Sequence, residues 1–306
     1  MVQPASASMR GRRRGDDAPS EHANLITSRD NRWIKAFRAA LRGAGPRTGE
    51  PIGIEGPKMI EDALRSGLEA EALLVGESGE ADADRILRAA SESEAGVARS
   101  RVLRTTDRIF ESVAGTESPQ GVAALFRQPE WRLEDVLRGA GEMRKSAPLV
   151  TVIAAVQDPG NVGTIARSAE AFGATGVVAT RGSADPWSPK ALRASAGSAL
   201  RLPLLRGMAI PILIAQLRIA GVKVYAAASR HDSAGNASST FEGVDLRGPS
   251  AIFIGNEGSG LPDEALRSAD GIVSIPTKGS VESLNAGIAA SIVLYEAARQ
   301  RNRENR

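Results

Sequence analysis

The chain of 306 residues has no cysteine, two histidines and only 4% aromatic residues. Without thiolates it can form neither a disulfide nor a thiolate-bound zinc site. A catalytic thiol and radical chemistry at a cysteine-bound iron–sulfur cluster are excluded for the same reason. Because His22 and His231 are the only imidazoles, we predict no metal site.

Long apolar runs are also missing, since no stretch reaches the roughly 18 to 20 residues of a membrane span. The N-terminal arginines are not followed by the apolar segment of a secretory signal. We therefore expect a cytoplasmic protein with no membrane association. A net charge of +3 and a pI near 9.5 are compatible with a polyanionic partner.

Residues 1–24 are rich in Ser, Ala, Gly and charge and show no apolar period, which predicts a disordered basic tail. A basic cluster lies within it at Arg10, Arg12, Arg13 and Arg14. Two interpretations stay open: a solvated tail, or a mobile arm that contacts phosphates.

Residues 25–127 predict a small α/β domain in which short strands and helices alternate. Its first helix, Arg32 to Leu41, places Trp33, Ile34 and Phe37 on one side with Leu41. Residues 128–148 predict a linker with one short helix near Leu133 to Leu137.

From residue 149 to residue 306 we predict a second α/β domain. Near-continuous apolar strands that alternate with helical patterns indicate a parallel sheet covered on both faces. The predicted strands are Leu149 to Val156, Gly176 to Ala179, Val222 to Ala227, Ala251 to Ile254 and Gly271 to Ile275.

Three segments of this second domain carry candidate chemistry. The first, 161–169, follows a strand and a turn and starts a helix near Asn161. Its apolar residues form a buried stripe, and Arg167 lies on another face. Taken alone, Asn161 is a helix cap, Gly163 a close-packing position and Arg167 a surface charge.

The second segment, 255–261, holds Glu257 among three glycines, Gly255, Gly258 and Gly260. Glycines let the backbone turn tightly and approach a ligand closely. The spacing matches neither the dinucleotide fingerprint nor the P-loop. Taken alone, the segment is a strand-to-helix turn.

The third segment, 275–285, joins the last strand to a long helix that ends near Arg301. We predict that Leu284, Ile288, Ile292 and Tyr295 form the apolar stripe of that helix. Taken alone, Ser283 and Asn285 are capping residues.

In this order and at these separations, the three segments resemble the SpoU (TrmH-like) family of RNA 2′-O-ribose methyltransferases in the SPOUT class. The resemblance extends from about Ile26 to Gln300, more loosely in the N-terminal half. It implies a parallel-sheet SPOUT domain with a deep trefoil knot, preceded by an L30e-like RNA-binding domain. It also implies a homodimer that uses S-adenosylmethionine.

The resemblance carries over the following roles. The implied catalytic residues are Asn161, Arg167, Glu257, Ser283 and Asn285. The implied cofactor-binding residues are Gly255, Ile275 and Leu284. The implied RNA-binding residues along the first helix are Arg29, Arg32, Lys35 and Arg38. Arg167 would clamp a phosphate and stabilise the ribose oxyanion, with Glu257 and Asn285 orienting it; its use as a base stays open.

Two alternatives are kept. One is a catalytically silent RNA-binding protein of ribosome assembly with the same fold; the other is a dehydrogenase, which the missing fingerprint disfavours. The extra N-terminal domain favours 23S rRNA over tRNA as the substrate. DNA is not expected, because it lacks the 2′-hydroxyl.

Overall fold

A computed structural model describes residues 25–91, 101–141, 146–228, 239–240, 243–277 and 283–303. The predicted basic tail, residues 1–24, lies outside these residues. Two sheets follow one another along the chain, five-stranded in the N-terminal part and seven-stranded in the C-terminal part. The predicted division at residues 127 and 149 stays a prediction, although the two sheets lie on either side of it.

The N-terminal sheet is mixed, with strand order β1-β4-β3-β5-β2. Strands β1, β3 and β4 are parallel, whereas β5 runs antiparallel to both of its neighbours, β3 and β2. Its strands are β1 (Leu25–Ile26), β2 (Ile52–Glu55), β3 (Ala70–Val75), β4 (Arg101–Thr105) and β5 (Val122–Phe126). Its helices are α1 (Arg32–Arg42), α2 (Pro57–Arg65), α3 (Glu80–Ser91) and α4 (Asp107–Glu111).

The predicted first helix is confirmed, with Ile34, Phe37 and Leu41 buried against the sheet. Asn31 caps this helix, because its side chain accepts a hydrogen bond from the Trp33 amide. Trp33 is half-buried at the edge of the same core.

The C-terminal sheet is fully parallel, as predicted, with order β10-β12-β9-β11-β6-β7-β8. Its strands are β6 (Leu149–Ile153), β7 (Gly176–Thr180), β8 (Leu204–Met208), β9 (Lys223–Ala227), β10 (Ser239–Thr240), β11 (Ser250–Ile254) and β12 (Gly271–Ser274). Every residue of the central strands β6 and β11 is buried. Burial on both faces explains why these strands are largely apolar rather than alternating.

Helices cover both faces of this sheet. They are α6 (Pro159–Ala171), α7 (Pro189–Ser195), α8 (Ser198–Arg201), α9 (Ile210–Ile219), α10 (Asp263–Arg267) and α11 (Ala286–Arg303). No helix among the described residues is long and apolar enough to cross a membrane.

The predicted apolar stripe of the last helix is wrong. Ile288 and Tyr295 are 53% and 55% exposed. The stripe that packs on the protein consists largely of small residues: Ala286, Ala290, Val293, Leu294 and Ala297. Alanines fit where α11 lies close to its neighbours, and the larger side chains consequently face outwards.

The predicted linker holds helix α5 (Leu133–Arg138), which packs on the C-terminal sheet through the fully buried Val136. A continuous apolar core also joins the two sheets, because Ile52 and Phe126 belong to the same cluster as Trp187 and Leu192. The N-terminal sheet is therefore held against the α7–α8 side of the C-terminal one.

Candidate functional site

The loops that follow β6 and β11 start side by side at one edge of the C-terminal sheet. Ile254 lies opposite Ile153 in the register of these two parallel strands, and the Ala154 amide donates to the Ile254 carbonyl at 2.8 Å. The carboxyl ends of parallel strands form the usual ligand-binding crevice of open α/β sheets. The first and second segments therefore meet at this edge.

Helix α6 starts from a capped turn. Asp158, not Asn161, is the N-cap, because its carboxylate accepts from the Asn161 amide at 3.2 Å, and Pro159 occupies the first turn. Lys190 of α7 donates to the other carboxylate oxygen at 2.5 Å. That hydrogen bond lowers the pKa of Asp158 below its ordinary value. Because Asp158 caps the helix, the Asn161 side chain is not needed as a cap and can bind other groups.

Gly163 allows α6 to pack unusually closely on α7. A Cβ at this position would lie 2.2 Å from the Ala191 carbonyl oxygen and 2.7 Å from the Ala194 Cβ. The glycine therefore fixes the depth at which the start of α6, with Asn161, sits above the sheet.

The loop after β11 is closed by its own backbone. Asn256 and Gly260 exchange two hydrogen bonds of 3.0 Å, and the Asn256 side chain accepts from the Gly258 amide at 2.9 Å. A Cβ on Gly255 would lie 2.6 Å from the Gly260 backbone. This tight loop holds Glu257, half-buried, at its tip.

Four of the five predicted catalytic residues are brought together. Asn161 donates through Nδ2 to the Glu257 carboxylate and accepts through Oδ1 from Asn285 Nδ2 at 3.0 Å. The amide of Ala286 approaches the same Glu257 oxygen at 3.4 Å, and Ser283 Oγ donates to the Glu257 carbonyl at 3.4 Å. Residues 124 positions apart in the sequence thus share one hydrogen-bonded cluster.

Asn285 has a second task in this cluster. Its Oδ1 accepts from the amides of Gly287 and Ile288 at 3.0 and 3.2 Å. It therefore caps α11, as its sequence position suggests, while its Nδ2 binds Asn161. The capping prediction is therefore confirmed, and the catalytic role of Asn285 stays a prediction that the cap does not exclude, because Nδ2 is not used by the cap.

Arg167 stands apart from the cluster. It is exposed on α6 and makes no hydrogen bond or ion pair with any described residue. The expected orientation of Arg167 by Glu257 and Asn285 is not seen, since Glu257 is occupied by Asn161. The neighbouring residue Ser168 instead contacts α11, with its hydroxyl 2.7 Å from that of Ser291.

The candidate cofactor-binding residues lie around the same edge. Gly255 is part of the closed loop, and Ile275 and Leu284 are both half-buried. They flank residues 278–282, the middle of the third segment, which lie outside the described residues. The hydroxyl of Ser274, next to Ile275, is buried without a hydrogen-bond partner among the described residues.

These residues are suited to an adenosine-containing cofactor. Ile275 and Leu284 supply half-buried apolar side chains beside the closed glycine loop. No group of three or more metal-ligating side chains occurs among the described residues.

The candidate RNA-binding residues differ in their surroundings. Arg29 and Arg32 are exposed, and Lys35 pairs with Asp30 at 3.3 Å on the surface. Arg38 is half-buried and its Nε donates to the Ser112 carbonyl at 3.4 Å. Part of the Arg38 guanidinium is thus used within the domain, so its share in any RNA contact is smaller than expected.

Sequence reasoning missed Asp158 and Lys190. The signal for Asp158 was present, since Asp-Pro before an apolar period is a helix N-terminus signature. No local pattern indicated Lys190, because its partner lies 32 residues away.

Comparison with known proteins agrees with this geometry. A family model described as "SpoU rRNA Methylase family" matches residues 148–295, and one described as "MRM3-like substrate binding domain" matches residues 47–124. The chain is 33% identical over 243 residues to "23S rRNA (guanosine(2553)-2′-O)-methyltransferase RlmP" of Bacillus subtilis, covering 79% of this chain and 86% of that protein. The chain belongs to the SpoU rRNA methylase family.

As a member of this SpoU family the protein is an RNA (ribose-2′-O)-methyltransferase that uses S-adenosylmethionine. It is 34% identical over 200 residues to "23S rRNA (guanosine-2′-O-)-methyltransferase RlmB" of Xanthomonas campestris, covering 65% of this chain and 78% of that one. The silent RNA-binding protein and the dehydrogenase are therefore set aside.

A solved SpoU structure has the same architecture. The SpoU methyltransferase AviRb of Streptomyces viridochromogenes, in complex with AdoMet, superposes with a TM-score of 0.74 at 27% identity. The match covers 89% of this chain and 98% of AviRb. Both domains of the chain, and not only the catalytic one, thus follow the SpoU arrangement.

Proposed function

We propose that this methyltransferase acts on a ribose 2′-hydroxyl of 23S rRNA in the cytoplasm. The observation that carries the catalytic part is the Asn161–Glu257–Asn285 cluster at the ends of β6 and β11. The rRNA part is supported by the printed activities of RlmP and RlmB and by the matched substrate-binding domain. tRNA is the second candidate substrate.

The cluster is proposed to position the reacting ribose. S-adenosylmethionine supplies a methyl group on a positively charged sulfur, so the weak nucleophilicity of the hydroxyl is the main difficulty. Holding that hydroxyl in line is a large part of the catalysis. Asn161 and Asn285 present amide groups at the site, and Glu257 fixes both through Asn161.

Arg167 is proposed to stabilise the developing ribose oxyanion and to clamp an adjacent phosphate. A guanidinium keeps its charge and offers a fork that matches phosphate oxygens. Its exposure and its lack of partners among the described residues leave all its donors available. Gly255, Ile275 and Leu284 are proposed to hold the cofactor.

Arg167→Ala tests this role. It should lower the methylation rate about 10² to 10³-fold, the usual scale for one transition-state donor. Affinity for S-adenosylmethionine should stay unchanged, and Arg167→Lys should restore only part of the rate. Arg267→Ala is the matched control, because Arg267 is an exposed helix arginine in a loose 4.0 Å pair. Near-normal turnover by Arg167→Ala would make Arg167 a plain surface charge.

A homodimer is also proposed. The outward face of α11 exposes Ile288 and Tyr295, and Phe172, the C-cap residue of α6, packs edge-on against Tyr295 at 5.8 Å. Covering this face with a second copy removes apolar area from water next to the helix that carries Arg167. The trefoil knot, which the resemblance implies for the third segment and the last helix, stays a prediction.

Ile288→Glu tests the dimer by light scattering after size-exclusion chromatography. We expect the wild type to have twice the chain mass and the variant to shift towards one. Ile219→Glu is the control, because Ile219 is 87% exposed on α9, away from α11. A wild type that is monomeric at micromolar concentration contradicts the proposed dimer.

Substrate choice is tested with unmodified 23S rRNA and tRNA offered together with labelled S-adenosylmethionine. Label in the 23S rRNA band supports the proposal, and label confined to tRNA contradicts it. A deletion strain should lack one ribose methylation in its 23S rRNA.

A further inference from the structure

Trp33 is flanked by two arginines that come from different parts of the N-terminal domain. The Arg32 guanidinium carbon lies 5.4 Å from the centroid of the indole ring, and that of Arg101 lies 5.7 Å from it. Arg32 and Trp33 begin α1, whereas Arg101 begins β4. The cluster of Arg32, Trp33 and Arg101 is therefore set by the tertiary fold.

The positive charge of this cluster is not neutralised within the described part of the chain. Arg32 and Arg101 are exposed and form no ion pair with any described carboxylate. The neighbouring Arg104 differs, since it pairs with Glu80 at 2.9 Å. Arg29, one turn before α1, is also exposed and also forms no ion pair with a described carboxylate.

An indole beside two guanidiniums prepares them for an anion. A cation is attracted to the ring face at these distances, which restricts the motion of the long arginine side chains. Arginines held in this way lose less entropy when they bind. Their planar forks match the two free oxygens of a phosphodiester.

The indole ring and the guanidinium planes of this cluster can also bind a nucleic-acid base by stacking. Unstacked bases in single-stranded RNA stack on aromatic rings and on guanidinium planes, whereas bases within a duplex are not accessible. Trp33 is half-buried and both arginines are exposed, so the cluster lies at the surface of the protein.

We propose that Arg32, Trp33 and Arg101 form a binding site for an unpaired nucleotide of the substrate RNA. The guanidiniums bind the phosphodiester, and the base stacks on the guanidinium–indole layer. The proposal rests on RNA being the substrate, and it adds a specific contact to that function. Trp33 and Arg101 had no role in the sequence-based assignment, which placed Trp33 on the apolar face of α1.

The test measures binding of the full chain to a single-stranded RNA and to a duplex of the same length, over a range of salt concentrations. Arg101→Gln should weaken single-strand binding and lower the slope of log K against log salt by about one. Trp33→Leu should weaken single-strand binding at least about fivefold, the scale of one lost base stack. Trp33→Phe keeps a ring and should retain most of the affinity.

Arg267→Gln, on α10 of the catalytic domain, is the charge-matched control and should leave both affinity and slope unchanged. Melting curves of each variant establish that the fold is intact, and Arg101→Gln carries little folding risk because it is a surface change. Unchanged affinity and slope in Arg101→Gln would overturn the site. Equal losses on duplex and single strand would overturn the unpaired-nucleotide assignment. The proposal that RNA is the substrate is tested separately: it fails if the wild-type enzyme methylates no RNA in the assay with labelled S-adenosylmethionine.

Discussion

Gly163→Ala perturbs the depth at which α6 packs on α7. The added methyl would meet the Ala191 carbonyl oxygen at 2.2 Å and the Ser195 amide nitrogen at 2.9 Å. Both are backbone atoms of α7, so no side-chain rotation can make room. Helix α6 must move away from α7, and Asn161 at its start moves with it.

Two effects set the magnitude. Replacing a helix-interior glycine by alanine stabilises a helix by about 1 kcal/mol. Overpacking by one methyl costs typically about 1 to 3 kcal/mol, and more against rigid backbone. Because the 2.2 Å approach lies at the severe end, we expect a net loss of about 2 kcal/mol, which for a chain of 306 residues corresponds to about 3 °C in Tm.

Gly287→Ala is the matched control for stability. Its new methyl would meet Thr164 Cγ2 at 2.9 Å and Asn285 Oδ1 at 3.2 Å. Rotation of the exposed Thr164 side chain can relieve the 2.9 Å contact, whereas the 3.2 Å contacts with Asn285 Oδ1 and Thr164 Cβ remain. Because these are milder than the 2.2 Å backbone contact at Gly163, we expect Gly287→Ala to change the stability by less than about 1 kcal/mol. Thermal melting and urea unfolding measure both variants, and a methylation assay should show Gly163→Ala slowed beyond its loss of folded protein. A Gly163→Ala protein as stable as the wild type would refute the close-packing explanation of the Asn-x-Gly spacing.

Three further predictions concern other parts of the molecule. Arg301→Met should destabilise the protein by about 1 to 3 kcal/mol in urea unfolding, because Arg301 donates to four backbone carbonyls at the base of α11; a change below about 0.5 kcal/mol contradicts this. The hydrogen bond from Lys190 lowers the pKa of Asp158 in the folded protein. Ionised Asp158 therefore stabilises the fold above its unfolded-state pKa, and this stabilisation is lost as the pH falls through its folded-state pKa. Asp158→Asn keeps a capping side chain but cannot ionise, so the Tm of the variant should fall less steeply than that of the wild type below about pH 4. Saturation with S-adenosylmethionine at about 100 times Kd should stabilise the full chain by about 2.7 kcal/mol, and an unchanged melting curve contradicts cofactor binding.

The strands of the C-terminal sheet and the loops that carry the candidate site could be predicted from the sequence where the local pattern was unambiguous. The predicted strands β6, β9, β11 and β12 are largely apolar and largely buried, and the loops that follow β6 and β11 carry the residues that resemble the family's motifs. Strand β8 was missed, because Leu204–Met208 lies at the edge of the sheet and contains Arg206 and Gly207. An edge strand does not need the continuous apolar run by which the central ones are recognised.

The outward face of α11 could not be predicted from periodicity. The helical period of the large apolar residues predicts a buried stripe that includes Ile288 and Tyr295, whereas both are exposed. The actual packing uses alanines and the Ser168–Ser291 hydrogen bond, because α6 and α11 approach closely. The sequence could likewise not predict that Arg167 and Glu257 lie apart, because this depends on how α6 and the loop after β11 are placed in space.

The ribose assignment is tested most directly by locating the transferred methyl group. The protein is incubated with labelled S-adenosylmethionine and unmodified 23S rRNA, and the RNA is digested to nucleosides and analysed by mass spectrometry. The label should be on the ribose 2′-oxygen of one nucleotide, and a 2′-deoxy substitution at that nucleotide should abolish it. Label on a base would contradict both the reaction and the roles assigned to Asn161, Arg167 and Asn285.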